Sequence, residues 1–190
     1  GHQSITVGGW GYLFGDLGGG WSITQRAIQA ALAAVDQWGP PTRLAGGLLG
    51  FFEESSYRAL VSSVYSGKRL RAEIAQAAPL VLALAEQGDE VAHQIALLSA
   101  CELSGYVRLG AARVGLGNTV SLGYAGGVLK GSEYLRQLVR EDLLRKGIHI
   151  DREVLGSALA GTALHGLRAT GMTITDDLRQ GVTEATIRLK

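Results

Sequence analysis

One stretch constrains this chain more than any other: Val7-Gly8-Gly9-Trp10-Gly11-Tyr12-Leu13-Phe14-Gly15-Asp16-Leu17-Gly18-Gly19-Gly20-Trp21. Seven of these fifteen residues are glycine, and the only acid, Asp16, is bracketed by them. Glycine loses more backbone freedom on folding than any other residue, so such a density needs a reason. One reason is a string of tight turns. The other is a backbone that must come close to a ligand, with two indoles and one carboxylate to dress the site.

The totals narrow the class. A chain of 190 residues is long enough for one domain with a real core, or for two small ones. With 46% hydrophobic and 18% charged residues it is not a mostly disordered chain. No uninterrupted apolar run reaches the roughly eighteen residues of a membrane span. The formal net charge is +1 and the basic residues are scattered, which argues against nucleic acid or anionic lipid as a partner. A single cysteine, Cys101, forbids an internal disulfide and suits a reducing cytoplasm. It falls in an apolar helical pattern, so it is expected to be a buried packing residue rather than a reactive thiol. Gly1-His2 reads as the scar of a cleaved tag, in which case the natural chain starts further upstream.

Ser4-Ile5-Thr6-Val7 alternates and is β-branched, which predicts a short strand leading into the glycines. Tyr12-Leu13-Phe14 is a second short strand or a bend. Ile23, Ala27, Ala30, Ala31, Ala34 and Val35 share one helical stripe that Trp38-Gly39-Pro40-Pro41 ends. Because this helix starts directly after the glycines, its free N–H groups point back into the loop. Thr42 can cap a short helix through Phe52, and residues 56–65 form another. Residues 68–87 read as a helix pair or a helix kinked at Pro79. Asp89 caps a long helix to about Val114, with Val91, Ile95, Leu98 and Cys101 as its stripe. A buried strand at 119–122 then runs into Gly123-Tyr124-Ala125-Gly126-Gly127-Val128, followed by a helix over about 132–146. Ile148-His149-Ile150 is a short strand, residues 154–170 a small-residue helix, and Thr175 the cap of a last helix whose stripe ends at Leu189.

Several chemistries are excluded. Lys130-Gly131-Ser132 has the wrong order for a Walker A loop, and Gly18-Gly19-Gly20 the wrong spacing for a dinucleotide fingerprint. There is no Gly-x-Ser-x-Gly elbow. The four histidines, His2, His93, His149 and His165, lack metal-ligand spacing and read as surface or packing residues. Glu53-Glu54 and Asp176-Asp177 are explained by solvation and helix capping. What remains is the pair of glycine loops. Strand, Gly-Gly-Val, helix brings backbone near a flat or anionic ligand at a helix N-terminus. Asp16 can accept from sugar hydroxyls, and Trp10 can stack on a sugar face or pack into the core.

In this order the loops resemble a known family. Gly8-Gly9-Trp10-Gly11-Tyr12-Leu13-Phe14-Gly15-Asp16 is similar to the hallmark of N-acetylglucosamine kinases and the BadF/BadG/BcrA/BcrD ATPase family, within the superfamily of sugar kinases, heat-shock chaperones and actin. The likeness extends through Pro79-Leu80-Val81-Leu82-Ala83-Leu84-Ala85-Glu86-Gln87-Gly88-Asp89, Val120-Ser121-Leu122, Gly126-Gly127-Val128-Leu129 and Gly156-Ser157-Ala158-Leu159-Ala160-Gly161. It covers most of residues 5–170.

The resemblance implies an α/β fold: the ribonuclease H-like C-terminal lobe of an actin-like ATPase, helix-rich with a small sheet of short strands. It places that lobe at 4–170 and a helical extension at 171–190. The N-terminal lobe, with the first phosphate loop, a catalytic aspartate and the magnesium-linked acid, would be absent, as would the second phosphate loop that normally precedes the opening motif. The implied activity is phosphoryl transfer from ATP, with Mg2+ held mainly by the other lobe, to an amino-sugar hydroxyl. This chain alone is expected to be inactive.

Carried over by position, Gly9, Trp10, Gly11 and Asp16 match sugar-contacting residues. Gly126, Gly127 and Val128 match the adenosine-side loop, with Ala85 and Gly131 as weaker members of that set. Leu17 and Gly19 depart from the family's usual acid and serine. The implied partners are an amino sugar, ATP, the N-terminal lobe and a possible second copy of the chain, in the cytoplasm. Two other readings stand beside this one. One is the ATPase activator of a radical dehydratase, whose iron–sulfur cluster needs cysteines beyond Cys101. The other is a non-catalytic dimerisation or regulatory module of the same fold.

Overall fold

In the computed structural model residues 4–188 are described; His2, the tag reading of Gly1-His2 and Leu189 lie outside them. The chain is helix-rich, and among the described residues its sheet has two strands. Helix α1 (Gly20–Val35) runs through the middle and packs on α2 (Leu44–Phe52), α4 (Arg71–Ala75), α5 (Ala78–Glu86) and α6 (Glu90–Val114). Helix α3 (Tyr57–Tyr65) leans on α2. Ile23, Ala27 and Ala31 of α1 are fully buried against Leu44, Leu48, Val81 and Ala96 in one core. Burying a leucine- or isoleucine-sized side chain contributes roughly 1.5–3 kcal/mol, so this cluster supplies most of the driving force.

Helix α6 is the one described helix long and apolar enough to cross a membrane by length and composition. Here it is instead the central support of the core, and it buries Ala92, Ile95, Ala96, Ser99, Ala100 and Ser104. That is one residue out of phase with the expected stripe. Leu98 is 47% exposed and Cys101 is exposed too, which corrects its reading as a buried residue. The cause is packing distance: alanines and serines let α5 and α8 (Glu133–Arg145) approach closely, so the small face of α6 turns inward.

Helix ends follow local chemistry. The hydroxyl of Ser56 caps α3 by accepting from the Ala59 N–H, and Thr42 Oγ1 accepts from the Leu44 N–H at the start of α2. The Asp89 carboxylate caps α6 through the Ala92 N–H at 2.9 Å and also takes the Arg43 N–H and the Thr42 hydroxyl, so it joins two helix starts. Pro79 sits in the first turn of α5, where a missing N–H costs nothing, and the 68–87 region is therefore a helix pair.

Three sequence expectations change. Residues 4–7 form no strand, since among the described residues no neighbouring strand completes a ladder with them, and Tyr12-Leu13-Phe14 is a turn. The second strand is longer than expected. β1 (Thr119–Tyr124) pairs in parallel with β2 (His149–Leu155), from Thr119 opposite His149 to Tyr124 opposite Leu155, with an irregularity between Val120 and Ser121. This moves the start of α9 (Ala158–Ala169) four residues later than the sequence suggested. A five-residue helix, α7 (Gly127–Gly131), also stands between the second glycine loop and α8, and Ser132 caps the latter. Together β1, α7, α8 and β2 make one parallel crossover unit. Helix α10 (Asp176–Arg188), capped by Thr175, packs on α9.

Candidate functional site

The first loop is built on α6 and α1. Gly18 has φ of +75°, and a Cβ there would sit 2.7 Å from Leu103 Cγ and 2.9 Å from the Ser99 carbonyl oxygen. Only glycine fits a left-handed turn pressed this hard against backbone. Gly19 is the N-cap of α1 and offers no side-chain acceptor, so the first N–H groups of this sixteen-residue helix stay open toward the loop. Tyr12 anchors the outer part, edge-on to Trp21 at 5.4 Å and beneath the Arg71 guanidinium at 4.7 Å.

On this base the predicted sugar-side residues are exposed. Trp10 is 79% exposed and Phe14 86%, so Trp10 is no core residue. Gly9 and Gly11 both have positive φ and nothing close to them. Asp16 is held at φ of +50° and is exposed, and among the described residues no donor reaches its carboxylate. A carboxylate in a strained backbone, bracing nothing, is free to accept from a ligand.

The second loop meets the first at one point. A Cβ on Gly20 would lie 3.0 Å from the Ala75 carbonyl oxygen and 3.2 Å from Val128 Cγ2, so the start of α1 rests directly on Val128. Gly126, at φ of +88°, turns the chain from β1 into α7. Gly127, Val128 and Gly131 line a cavity of about 320 Å3, closed by Pro79, Leu82, Ala83 and Glu86 of α5 and by Ser132, Glu133 and Tyr134 of α8. Ala85 is not among them: it is 4% exposed and belongs to the core behind. The inward and outward faces of α5 alternate by helical turn, and Ala85 is on the inward one. Gly131, in contrast, is on the cavity lining.

The cavity wall is held from outside by ionic pairs. The buried Arg136 guanidinium donates to the Leu129 and Lys130 carbonyls at the end of α7, and through Nη2 to Glu133 at 2.5 Å. Glu133 also takes a hydrogen bond from Arg140, which reaches Glu153 of β2 at 3.1 Å, and the Tyr124 hydroxyl donates to the same Glu153 at 3.0 Å. The Arg140 and Arg136 hydrogen bonds hold the Glu133 carboxyl below the usual range. Tyr134 shares a 2.5 Å hydrogen bond with His93 Nδ1. Burial first, then the nearby Glu86, Glu141 and Glu90 charges, raise the Tyr134 hydroxyl above its ordinary value, so it stays neutral.

The sequence reading missed Glu86, Ser132 and Tyr134 as cavity residues. One signal was available: Glu86 is a carboxylate in the last turn of α5, where the helix dipole disfavours negative charge. Among the described residues no group of three or more His, Cys, Asp or Glu converges.

Comparisons with known proteins identify the family and the fold. The profile of the BadF/BadG/BcrA/BcrD ATPase family matches residues 2–166. An N-acetylmuramic acid/N-acetylglucosamine kinase of Clostridium acetobutylicum is 34% identical over 142 residues, covering 74% of this chain and 46% of that protein. An N-acetyl-D-glucosamine kinase of Dictyostelium discoideum is 33% identical over 144 residues, covering 74% and 44%. A solved structure from Chromobacterium violaceum, described as a candidate N-acetylglucosamine kinase, superposes with a TM-score of 0.57 at 24% identity over 75% of this chain and 46% of that one. The likeness of fold to that structure confirms the actin-like ATPase architecture expected from the motifs. The chain thus spans less than half the length of the curated relatives it matches. With the glycine loops, the helical core and the parallel crossover all in place, the chain belongs to the BadF/BadG/BcrA/BcrD ATPase family.

Proposed function

We propose that this chain is the nucleotide- and sugar-facing C-terminal lobe of a cytoplasmic, ATP-dependent amino-sugar kinase, and that it needs an N-terminal lobe to act. The observation that carries this reading is the contact of the two glycine loops through Gly20 and Val128. The first loop carries an exposed carboxylate and indole, and the second lines an open cavity between α5, α7 and α8. Asp16 would accept from sugar hydroxyls while Trp10 and Phe14 flank the ring, and the Gly127–Gly131 cavity would take the adenosine end of ATP. Mg2+ would be held mainly by the other lobe, and when bound it would neutralise phosphate charge.

Phosphoryl transfer needs phosphates, metal and acceptor positioned together, so the purified 190-residue chain should not phosphorylate N-acetylglucosamine. In an NMR titration, N-acetylglucosamine should shift the Asp16 amide, and ADP the Gly127 amide. Asp16→Asn should abolish the first response and leave the second. Silence toward both ligands would favour a non-catalytic module of the same fold.

The radical-dehydratase activator gains one point, the exposure of Cys101. One thiol per chain gives two across a pair of chains, whereas an iron–sulfur cluster takes four ligands. An iron–sulfur absorption band after anaerobic purification is the result that would restore it.

A further inference from the structure

The cavity behind the second glycine loop has an asymmetric lining. It contains no lysine or arginine, and its charged groups are two carboxylates, Glu86 and Glu133. A phosphate would be repelled there, so the wall selects an uncharged, donor-bearing group. Most of its polar atoms are already committed. Glu133 is held by Arg136 and Arg140, Ser132 Oγ accepts from the Leu135 N–H, and the Tyr134 hydroxyl pairs with His93. Glu86 stands apart. Among the described residues its carboxylate has neither a hydrogen bond nor an ion pair, and it ends α5 with no basic residue in that last turn. An exposed acid at the end of a helix, with no protein partner among the described residues and on the lining of a cavity, is free to exchange its water for a donor on a ligand.

We infer that Glu86 is the base-reading residue of the nucleotide site, its carboxylate accepting a hydrogen bond from the exocyclic amine at C6 of adenine. This rests on the nucleotide reading proposed above. The volume of about 320 Å3 suits a nucleoside-sized group. The apolar part of the wall, Pro79, Leu82 and Val128, gives the base faces to pack on. The carboxylate sets polarity: a purine with a carbonyl at C6 would bring an oxygen against it and be rejected.

The test is an NMR titration of the 190-residue chain with ADP and, separately, with inosine diphosphate, in wild type and Glu86→Ala. Glu86 is exposed and unpartnered, so the variant should fold with an unchanged melting temperature. Wild type should prefer ADP by roughly tenfold or more, and Glu86→Ala should bring the two affinities within about threefold. Equal binding of the two nucleotides by wild type, or an undiminished preference in Glu86→Ala, would overturn the role of Glu86 while leaving the nucleotide site standing. Absence of any shift with ADP at millimolar concentration would instead overturn the nucleotide reading, and this inference with it.

Discussion

The two glycine loops look alike in sequence and differ in why they hold glycine. In the first, Gly18 and Gly20 are required by the chain itself, since a Cβ at either would run into backbone oxygen of α6 or α4 at 2.9 or 3.0 Å. In the second, Gly127 is the first residue of a helix, has an ordinary φ and meets nothing within 4 Å; Gly131 meets nothing either. At Gly127 and Gly131 the interior gives no reason for glycine, whereas Gly126 serves the left-handed turn into α7. The first loop is therefore partly scaffold, and Asp16 and the aromatics exposed on it are the residues of the proposed sugar contact. The second is open backbone, fixed from behind by Arg136.

This contrast can be broken experimentally, and the largest effect belongs to Gly18. Gly18→Ala combines left-handed strain with overlap onto α6 and should cost about 3 kcal/mol, read as a lowered urea midpoint. A loss under 1 kcal/mol would mean that the first loop is not built on α6 at all. Next comes the brace of the second loop. Arg136→Met leaves the Leu129 and Lys130 carbonyls without their Arg136 donor and should cost about 2 kcal/mol, with faster amide exchange in α7 and no change at Gly19. Arg136→Lys should recover part of it.

Acid separates the loops in another way. Burial works to raise Asp89, but the Ala92 and Arg43 N–H groups, the Thr42 hydroxyl and the Arg43 charge outweigh it and leave the carboxyl below its ordinary value of 3.8. At Asp142 burial is likewise outweighed, there by Lys146, Ser104 and Arg145. Both carboxylates bind more protons when unfolded, so their stabilisation is complete above the ordinary aspartate range and is lost as pH falls through it toward the lowered native values. Asp89 and Asp142 both hold α6, the platform of the first loop. Exchange protection of the Gly19 N–H, which donates to the Asp16 carbonyl, should thus fall with acid in wild type and become less acid-sensitive in Asp89→Asn.

Smaller still is Gly127→Ala. Alanine is a better helix former by roughly 0.5–1 kcal/mol, so stability should hold or rise while ADP affinity drops. Unchanged ADP binding would remove the case for an open second loop. The smallest stability effect is expected at Asp16→Gly, within about 0.5 kcal/mol because glycine accepts the left-handed φ, yet the N-acetylglucosamine response should vanish.

Much of this molecule was legible from local chemistry. Gly20–Val35 is bounded by glycines before it and Trp38-Gly39-Pro40 after it, Asp89 and Thr175 cap the helices expected of them, and α8 starts at the expected place. These are short-range effects, decided within a turn or two of chain. The site residues of the first loop were legible as a motif, and the structure shows where they stand: exposed and uncommitted. What local chemistry could not supply was anything set by a distant neighbour. The 4–7 segment has strand character and no strand to pair with, while β2 extends to Leu155 because β1 lies alongside it. The inward face of α6 was set by how closely α5 and α8 could approach, which is why Cys101 is outside and Ser99 inside. Glu86 became a candidate only when the fold brought the end of α5 against α7 and left its carboxylate without a partner. By itself the sequence determined the helices, their caps and the presence of two glycine loops. The tertiary structure alone decided which glycines the chain needs for its own packing and which lie open, because that depends on atoms tens of residues away.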